Sequence, residues 1–253
     1  MTIKFKRFVA TLLSLCLLFT ISFPLTNVEA QDRKLMLGTG SVQQSGSTLL
    51  TGLAAFYKLA DTSDSVGSNT LTNTGSVTFG TGLVGNAATF NGTNYLSVES
   101  PNFSMGDVDW TVAGWARTPD PDAGNQIIIS RNGRFEWRVY FAENRISANV
   151  YDSSDIVFDV SANNWVHYRL TFIAATDTIE FEINNDGNVQ TASPGGDIED
   201  GSPLFFGTQD QGGGTTNFFV GDADATGIWL KQLTSTEQAN FFNSSAGREH
   251  PFN

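Results

Sequence analysis

The chain has 253 residues, and 26 Asp and Glu against 14 Lys and Arg give it a formal net charge of -12. With no cluster of Lys or Arg, that balance excludes nucleic-acid binding of the usual kind, because neutralising phosphates takes grouped cations; neutral glycans and cations stay open as partners. Abundant Phe, frequent Gly and sparse charge suit many short strands joined by tight turns.

Residues 1–30 read as a secretory signal. Lys4, Lys6 and Arg7 precede an apolar run from Phe8 to Ile21, and Val28-Glu29-Ala30 has the small-residue pattern of a cleavage site. Thr20, Ser22 and Pro24 break the run before it reaches a comfortable membrane span, so cleavage near Gln31 and no stable membrane insertion are expected. Cys16, the single cysteine, leaves with the signal, and the mature chain must be held by its core without disulfides. Residues 31–51, rich in Gly, Ser, Gln and Thr, predict a flexible linker or arm, and 52–253 the folded domain.

From Gly52 onward, short segments alternate with Gly, Asn, Asp or Pro clusters. Strands are expected over 55–59, 89–90, 95–98, 110–116, 126–130, 135–141, 145–151, 156–160, 165–172, 178–183, 204–207 and 227–230. In the segment 165–172, Val166, Tyr168, Leu170 and Phe172 make an apolar face and Trp165, His167, Arg169 and Thr171 a mixed one, as a strand with one side in a core requires. Glu143-Asn144 and Asn184-Asn185-Asp186-Gly187 predict tight turns; the second lacks the spaced ligands of an EF-hand. Thr234 to Glu237 forms a capping box, Phe241 and Phe242 give the following helix an apolar edge, and Gly247 is expected to end it. These elements predict an all-β chain, a two-sheet antiparallel β-sandwich with one short C-terminal helix.

The order of motifs adds a resemblance. Leu53-Ala54-Ala55-Phe56-Tyr57-Lys58-Leu59, Asp64-Ser65-Val66-Gly67, and Gly85-Asn86-Ala87-Ala88-Thr89-Phe90-Asn91-Gly92 ahead of Tyr95-Leu96-Ser97-Val98 resemble the laminin-G-like jelly-roll family. So do Asp107 to Trp115, Trp165 to Phe172, Phe219-Val220-Gly221-Asp222-Ala223-Asp224 leading into Ile228-Trp229, and Leu233 to Glu237. The resemblance implies a concanavalin A-like fold in a secreted or extracytoplasmic, often surface-associated, binding module for carbohydrate or other surface ligands. A structural or decoration domain of a cell envelope or virion is the alternative. It also implies that Trp115, Trp165 and Trp229 are packing residues. A structural calcium ion is implied where the first strand region meets the last, bringing Asp61 or Asp64 near Asp224. Ala225 stands where the family usually has a second acidic residue, and turn capping explains the same aspartates equally well.

An enzyme is the less favoured reading. Glu180 and Glu182 are spaced to project from one side of a strand, as a pair of glycosidase carboxylates about 5 Å apart would. The glucanase relatives carry a further Asp between their glutamates, which Phe181 does not supply; alternation with Ile179, Phe181 and Ile183 inward would leave both in water. His167 and His250 lie far apart without a nucleophile at motif spacing, and His167 is expected to be structural.

For sugar binding, aromatic faces flanked by amide, carboxylate and guanidinium groups are required. Trp137, Tyr140 and Tyr151 with Arg131, Arg134, Arg138, Asn149 and Asp152 come from adjoining strands. Parity sends Trp137 inward with Phe135 and Val139, and Arg138 and Tyr140 outward. The expected ligand site is therefore Arg138, Tyr140, Asn149, Tyr151 and Asp152 on one sheet face, the concave one in this fold.

Overall fold

The computed structural model describes residues 46–131, 137–151, 153–198, 203–210 and 214–252. The expected signal, most of the expected arm, Arg134 and Asp152 lie outside the described residues. Along the chain come α1 (Gly46–Leu49), β1 (Leu53–Tyr57), β2 (Thr72–Thr74), β3 (Thr78–Thr81), β4 (Asn86–Asn91) and β5 (Tyr95–Val98). Next are β6 (Trp110–Arg117), β7 (Gln126–Arg131), β8 (Trp137–Ala142), β9 (Arg145–Val150), β10 (Ile156–Asp159) and β11 (Val166–Ile173). The last group is β12 (Thr178–Ile183), β13 (Gln190–Ala192), β14 (Leu204–Phe206), β15 (Gln209–Asp210), β16 (Thr215–Thr216), β17 (Val220–Trp229) and α2 (Ser235–Phe242).

Besides a separate two-stranded ribbon, β15-β16, the strands form two large antiparallel sheets. One runs β13-β12-β11-β6-β17-β4-β3, with β1 also on β17; the other runs β10-β9-β8-β7-β14-β5-β2. On one edge of β17, β4 pairs with Val220 to Ala223 and β1 with Thr226 to Trp229. The changeover falls at a bulge between Asp224 and Gly227. The first and last strands are thus neighbours, as a jelly roll demands. The twelve expected strands are present, the last beginning at Val220 rather than Gly227, whereas the short pair β15 and β16 and the strands β2, β3 and β13 were not expected. β2, β3 and β13 are polar edge strands whose sequence carries no apolar alternation; pairing with β5, β4 and β12 creates them.

Between the sheets, residues of one parity close the main core. Trp110 lies 5.6 Å from Trp137 and 5.9 Å from Phe172, centroid to centroid, among Val112, Val139, Leu170 and Phe181. Trp137 is therefore inward, as parity predicted. A second core lies on the other face of the eight-stranded sheet, where Phe56, Ala113, Trp115 and Trp229 are covered by Phe241 of α2, Leu233, Leu49 and Phe252. Leu49 is fully buried and its carbonyl accepts from Trp229 Nε1 at 2.7 Å. The chain expected to be an arm up to Thr51 is therefore anchored from α1 onward.

The Thr234 hydroxyl accepts from the Glu237 backbone N–H while the Glu237 carboxylate accepts from Thr234 N–H, the predicted reciprocal cap. The helix stops earlier than expected. Asn243, in the left-handed conformation that Asn tolerates, ends it, and Gly247 comes only after a further short turn. Glu143 and Asn144 both take positive φ, giving the hairpin twist between β8 and β9 that the sequence predicted. No helix among the described residues is long and apolar enough to cross a membrane.

Candidate functional site

Directly opposed residues of an antiparallel pair share a sheet face, so the registers define what lies outward on the seven-stranded sheet. Asn149 of β9 faces Arg138 of β8, Arg138 faces Ser130 of β7, and Ser130 faces Phe205 of β14. Tyr140 stands opposite Ser147 one step along. The sequence-predicted residues Arg138, Tyr140 and Asn149 are thus brought together on one face, away from the main core.

They are less open than alternation implied. Tyr140 is 6% exposed, with the Arg138 guanidinium 5.3 Å from its ring centroid. Burial, and then its hydrogen bond with Asp155, push the Tyr140 phenol well above its ordinary value. Asn149 Nδ2 donates to the Ser153 carbonyl and to Asp155 Oδ1, so its amide braces the turn after β9. Arg138 Nη1 donates to Gln209 Oε1 at 3.4 Å, while its buried Nε has no hydrogen-bond partner. Tyr151 departs from the row. Its φ of 43° puts it in the left-handed region, its ring packs against the main core, and a Cβ on Gly196 would come within 2.6 Å of that ring.

An aromatic group on the same face escaped the sequence reading. Phe205 lies in the Arg138 row, 5.8 Å from Tyr95, which is 6.4 Å from Phe218; Tyr95 and Phe218 are half-exposed. Strand parity in 95–98, which sets Tyr95 on the side opposite Leu96 and Val98, was the available signal, but only the β5-β14-β7 pairing places these rings beside Arg138.

The three aspartates proposed for calcium are committed differently. Asp61 Oδ1 accepts from Ser63 N–H, capping a turn. Burial alone would raise the Asp64 carboxyl, but N–H groups of Val66 and Phe56 and the Asn69 amide outweigh it and hold its pKa below the ordinary value. Asp224 is fully buried at the β17 bulge; its Oδ2 accepts from Leu83 and Val84 N–H at 2.7 and 2.9 Å, and its Oδ1 has no partner. Burial, with Glu249 nearby, raises its pKa to about 6 against those two hydrogen bonds. Among the described residues no group of three or more His, Asp or Glu side chains is arranged to hold a metal.

Neither sequence candidate for chemistry is set up as a catalytic pair. Glu180 and Glu182 share a face, as expected, but Glu182 is buried rather than in water. Arg169, itself buried, donates to Glu182 at 2.7 Å and to Glu180 at 3.4 Å. Alternation alone leaves both carboxylates in water, but the mixed face of β11 and β12 carries a guanidinium that is buried together with one of them. His167 is structural as expected: buried among Trp115, Phe241 and Phe242 at 5.1–5.7 Å, with neither ring nitrogen partnered. Trp115 and Trp229 are buried packing residues, and Trp165, also expected to be one, packs against the second core while staying only half-buried.

Fold and face together describe a jelly-roll sandwich with a polar and aromatic outer sheet face. A laminin-G family model described as "Concanavalin A-like lectin/glucanases superfamily" matches residues 90–237, and the chain belongs to that family. No curated protein matches the sequence. Among solved structures, the binding domain of Paraclostridial Mosquitocidal Protein 1 is similar at a TM-score of 0.64 and 17% identity, over 77% of this chain and 52% of that one. Domain 4 of AbnA, an extracellular arabinanase of family GH43 from Geobacillus stearothermophilus, solved with arabinotriose, is similar at 0.59 and 14% identity, over 78% of this chain and 98% of that one. The botulinum neurotoxin DC binding domain in complex with SialylT is similar at 0.59 and 13% identity, over 78% and 52%. The chain spans about half the length of the toxin binding domains it matches.

Proposed function

We propose that the chain is an extracytoplasmic glycan-binding or surface-adhesion module that acts by binding and not by catalysis. The observation that carries this reading is the outer face of the seven-stranded sheet, where Arg138, lying over Tyr140, shares a cross-strand row with Phe205 of the Tyr95–Phe205–Phe218 group. Aromatic rings offer apolar surface to sugar C–H groups, and the guanidinium of a half-buried arginine can donate to hydroxyl or carboxylate oxygens. Similarity to domains solved with arabinotriose and with SialylT supports a sugar as the ligand. The Arg169 clamp on Glu180 and Glu182 supports binding over hydrolysis.

The test is a glycan array probed with the secreted chain and with Arg138→Ala. Binding that falls at least tenfold in the variant, with no reducing ends released, is expected. A silent array, or a variant that binds as the parent does, overturns the reading; the silent array would instead favour a structural module. Calcium is a second proposal on one observation, the buried and unpartnered Oδ1 of Asp224. A melting midpoint that falls with chelator in the parent but not in Asp224→Asn would support it, and a parent indifferent to chelator would exclude it.

A further inference from the structure

The chain crosses from the seven-stranded to the eight-stranded sheet between β10 and β11, and there, beside the end of β12, lies a cavity of about 410 Å3. Asp159, Ser161, Asn164, Trp165, Ile183 and Asn184 contribute to its lining. It is separate from the Arg138 row, none of whose residues lines it. The volume falls within the range of small-ligand sites, about 300–1,000 Å3.

Trp165 distinguishes this cavity. Trp110, Trp115, Trp137 and Trp229 are each under 2% exposed, so Trp165 alone among the five tryptophans keeps surface for a ligand. Its ring is fixed from one side by the Arg117 guanidinium, 4.8 Å from the centroid. Arg117 is in turn held by Asp222 Oδ2 at 2.7 Å, and Asp222 also accepts from the Thr89 hydroxyl. An indole so positioned meets a ligand with little ordering cost.

The polar lining selects the ligand class. Ser161 and Asn164 are exposed and can both donate and accept, and the Asp159 carboxylate accepts. Asn184 Oδ1 is occupied by His167 N–H at 3.1 Å, which leaves the amide N–H groups as its donors. The lining contains a carboxylate but no Lys, Arg or His. Hydroxyl groups suit such a lining; the cation that pairs with Asp159, Arg145 at 3.5 Å, is shared with Glu143, so a carboxylate-bearing sugar would meet a net negative charge.

We propose that this cavity is a glycan subsite for a neutral sugar residue, with the exposed part of Trp165 as its apolar contact and Ser161, Asn164 and Asp159 taking its hydroxyls. The proposal rests on the glycan-binding reading above and adds a second contact point, at the end of the sandwich.

Because the other four tryptophans are buried from quencher, acrylamide quenching reports chiefly on Trp165, and an emission change that comes with protection from quenching is assigned to it. The secreted chain is titrated with arabinotriose, xylotriose, cellotriose and sialyllactose, by fluorescence and by calorimetry in parallel. At least one neutral trisaccharide is expected to shift the emission and protect it from quenching, and sialyllactose to leave it unchanged. Asn164→Ala, at an exposed position that folding tolerates, is expected to weaken that response about tenfold. Arg138→Ala is expected to leave the emission change in place. Calorimetric binding without an emission change, or with full affinity in Asn164→Ala, overturns the subsite while the glycan reading stands. An emission response to sialyllactose equal to that of the neutral probes overturns the assigned class, and no calorimetric binding by any probe overturns the subsite together with the wider reading.

Discussion

His167 should make the domain acid-sensitive, and the size of the effect follows from its surroundings. Burial, and then the Arg169 charge, lower its pKa from the ordinary 6.5 to about 3. Trp115, Phe241 and Phe242 surround it without offering a hydrogen bond, so the folded state can hold only the neutral ring. Above the unfolded value both states are neutral and the group has no pH effect. As pH falls below 6.5 the unfolded chain takes up a proton that the folded chain refuses, and stability declines until the folded value near 3 is reached. At about pH 4.5 the two states differ over two pH units, and at 1.36 kcal/mol per unit the loss is about 2.7 kcal/mol. Against a typical domain stability of about 5–15 kcal/mol that is a large fraction. Replacing His167 with Leu removes the titration. Urea unfolding of parent and His167→Leu at about pH 7.5 and about pH 4.5 isolates it, since every other group titrates in both proteins. The stability difference between the two pH values should be smaller in the variant by about 2–3 kcal/mol. An identical pH difference in both proteins would refute the reasoning.

Two further outcomes are expected. Glu182→Ala leaves the Arg169 guanidinium buried without its nearest partner and should cost about 3–5 kcal/mol in urea unfolding, whereas a loss below about 1 kcal/mol would mean that the guanidinium reaches water. Thr234→Ala removes one half of the reciprocal cap of α2 and should lower stability by about 1 kcal/mol, measured in the same way; no change would show that α2 is held by Phe241 alone.

Much of the fold was legible because local chemistry dictates it. Alternation in β8 sent Trp137, Val139 and Phe141 inward, Glu143-Asn144 took the positive φ of a tight hairpin, and Thr234 with Glu237 started the helix. Each of these is decided within a few residues of chain, by side-chain period, turn geometry or a cap. The site was legible only in part. Parity put Arg138, Tyr140 and Asn149 on one face, but it could not say that Tyr140 and Asn149 would be nearly covered or that Tyr151 would turn onto the core.

What only the tertiary structure decided is which outward faces meet water. Period two separates two sides of a strand without saying what covers the second, and α2 with Leu49 and Phe252 covers part of the eight-stranded sheet to make a second core. The same blindness hid the burial of Glu182 under Arg169 and the partial exposure of Trp165. Register is likewise non-local. Tyr95, Phe205 and Arg138 lie far apart along the chain, and they share a face only because β5, β14, β7 and β8 pair edge to edge through backbone hydrogen bonds that no side-chain pattern announces.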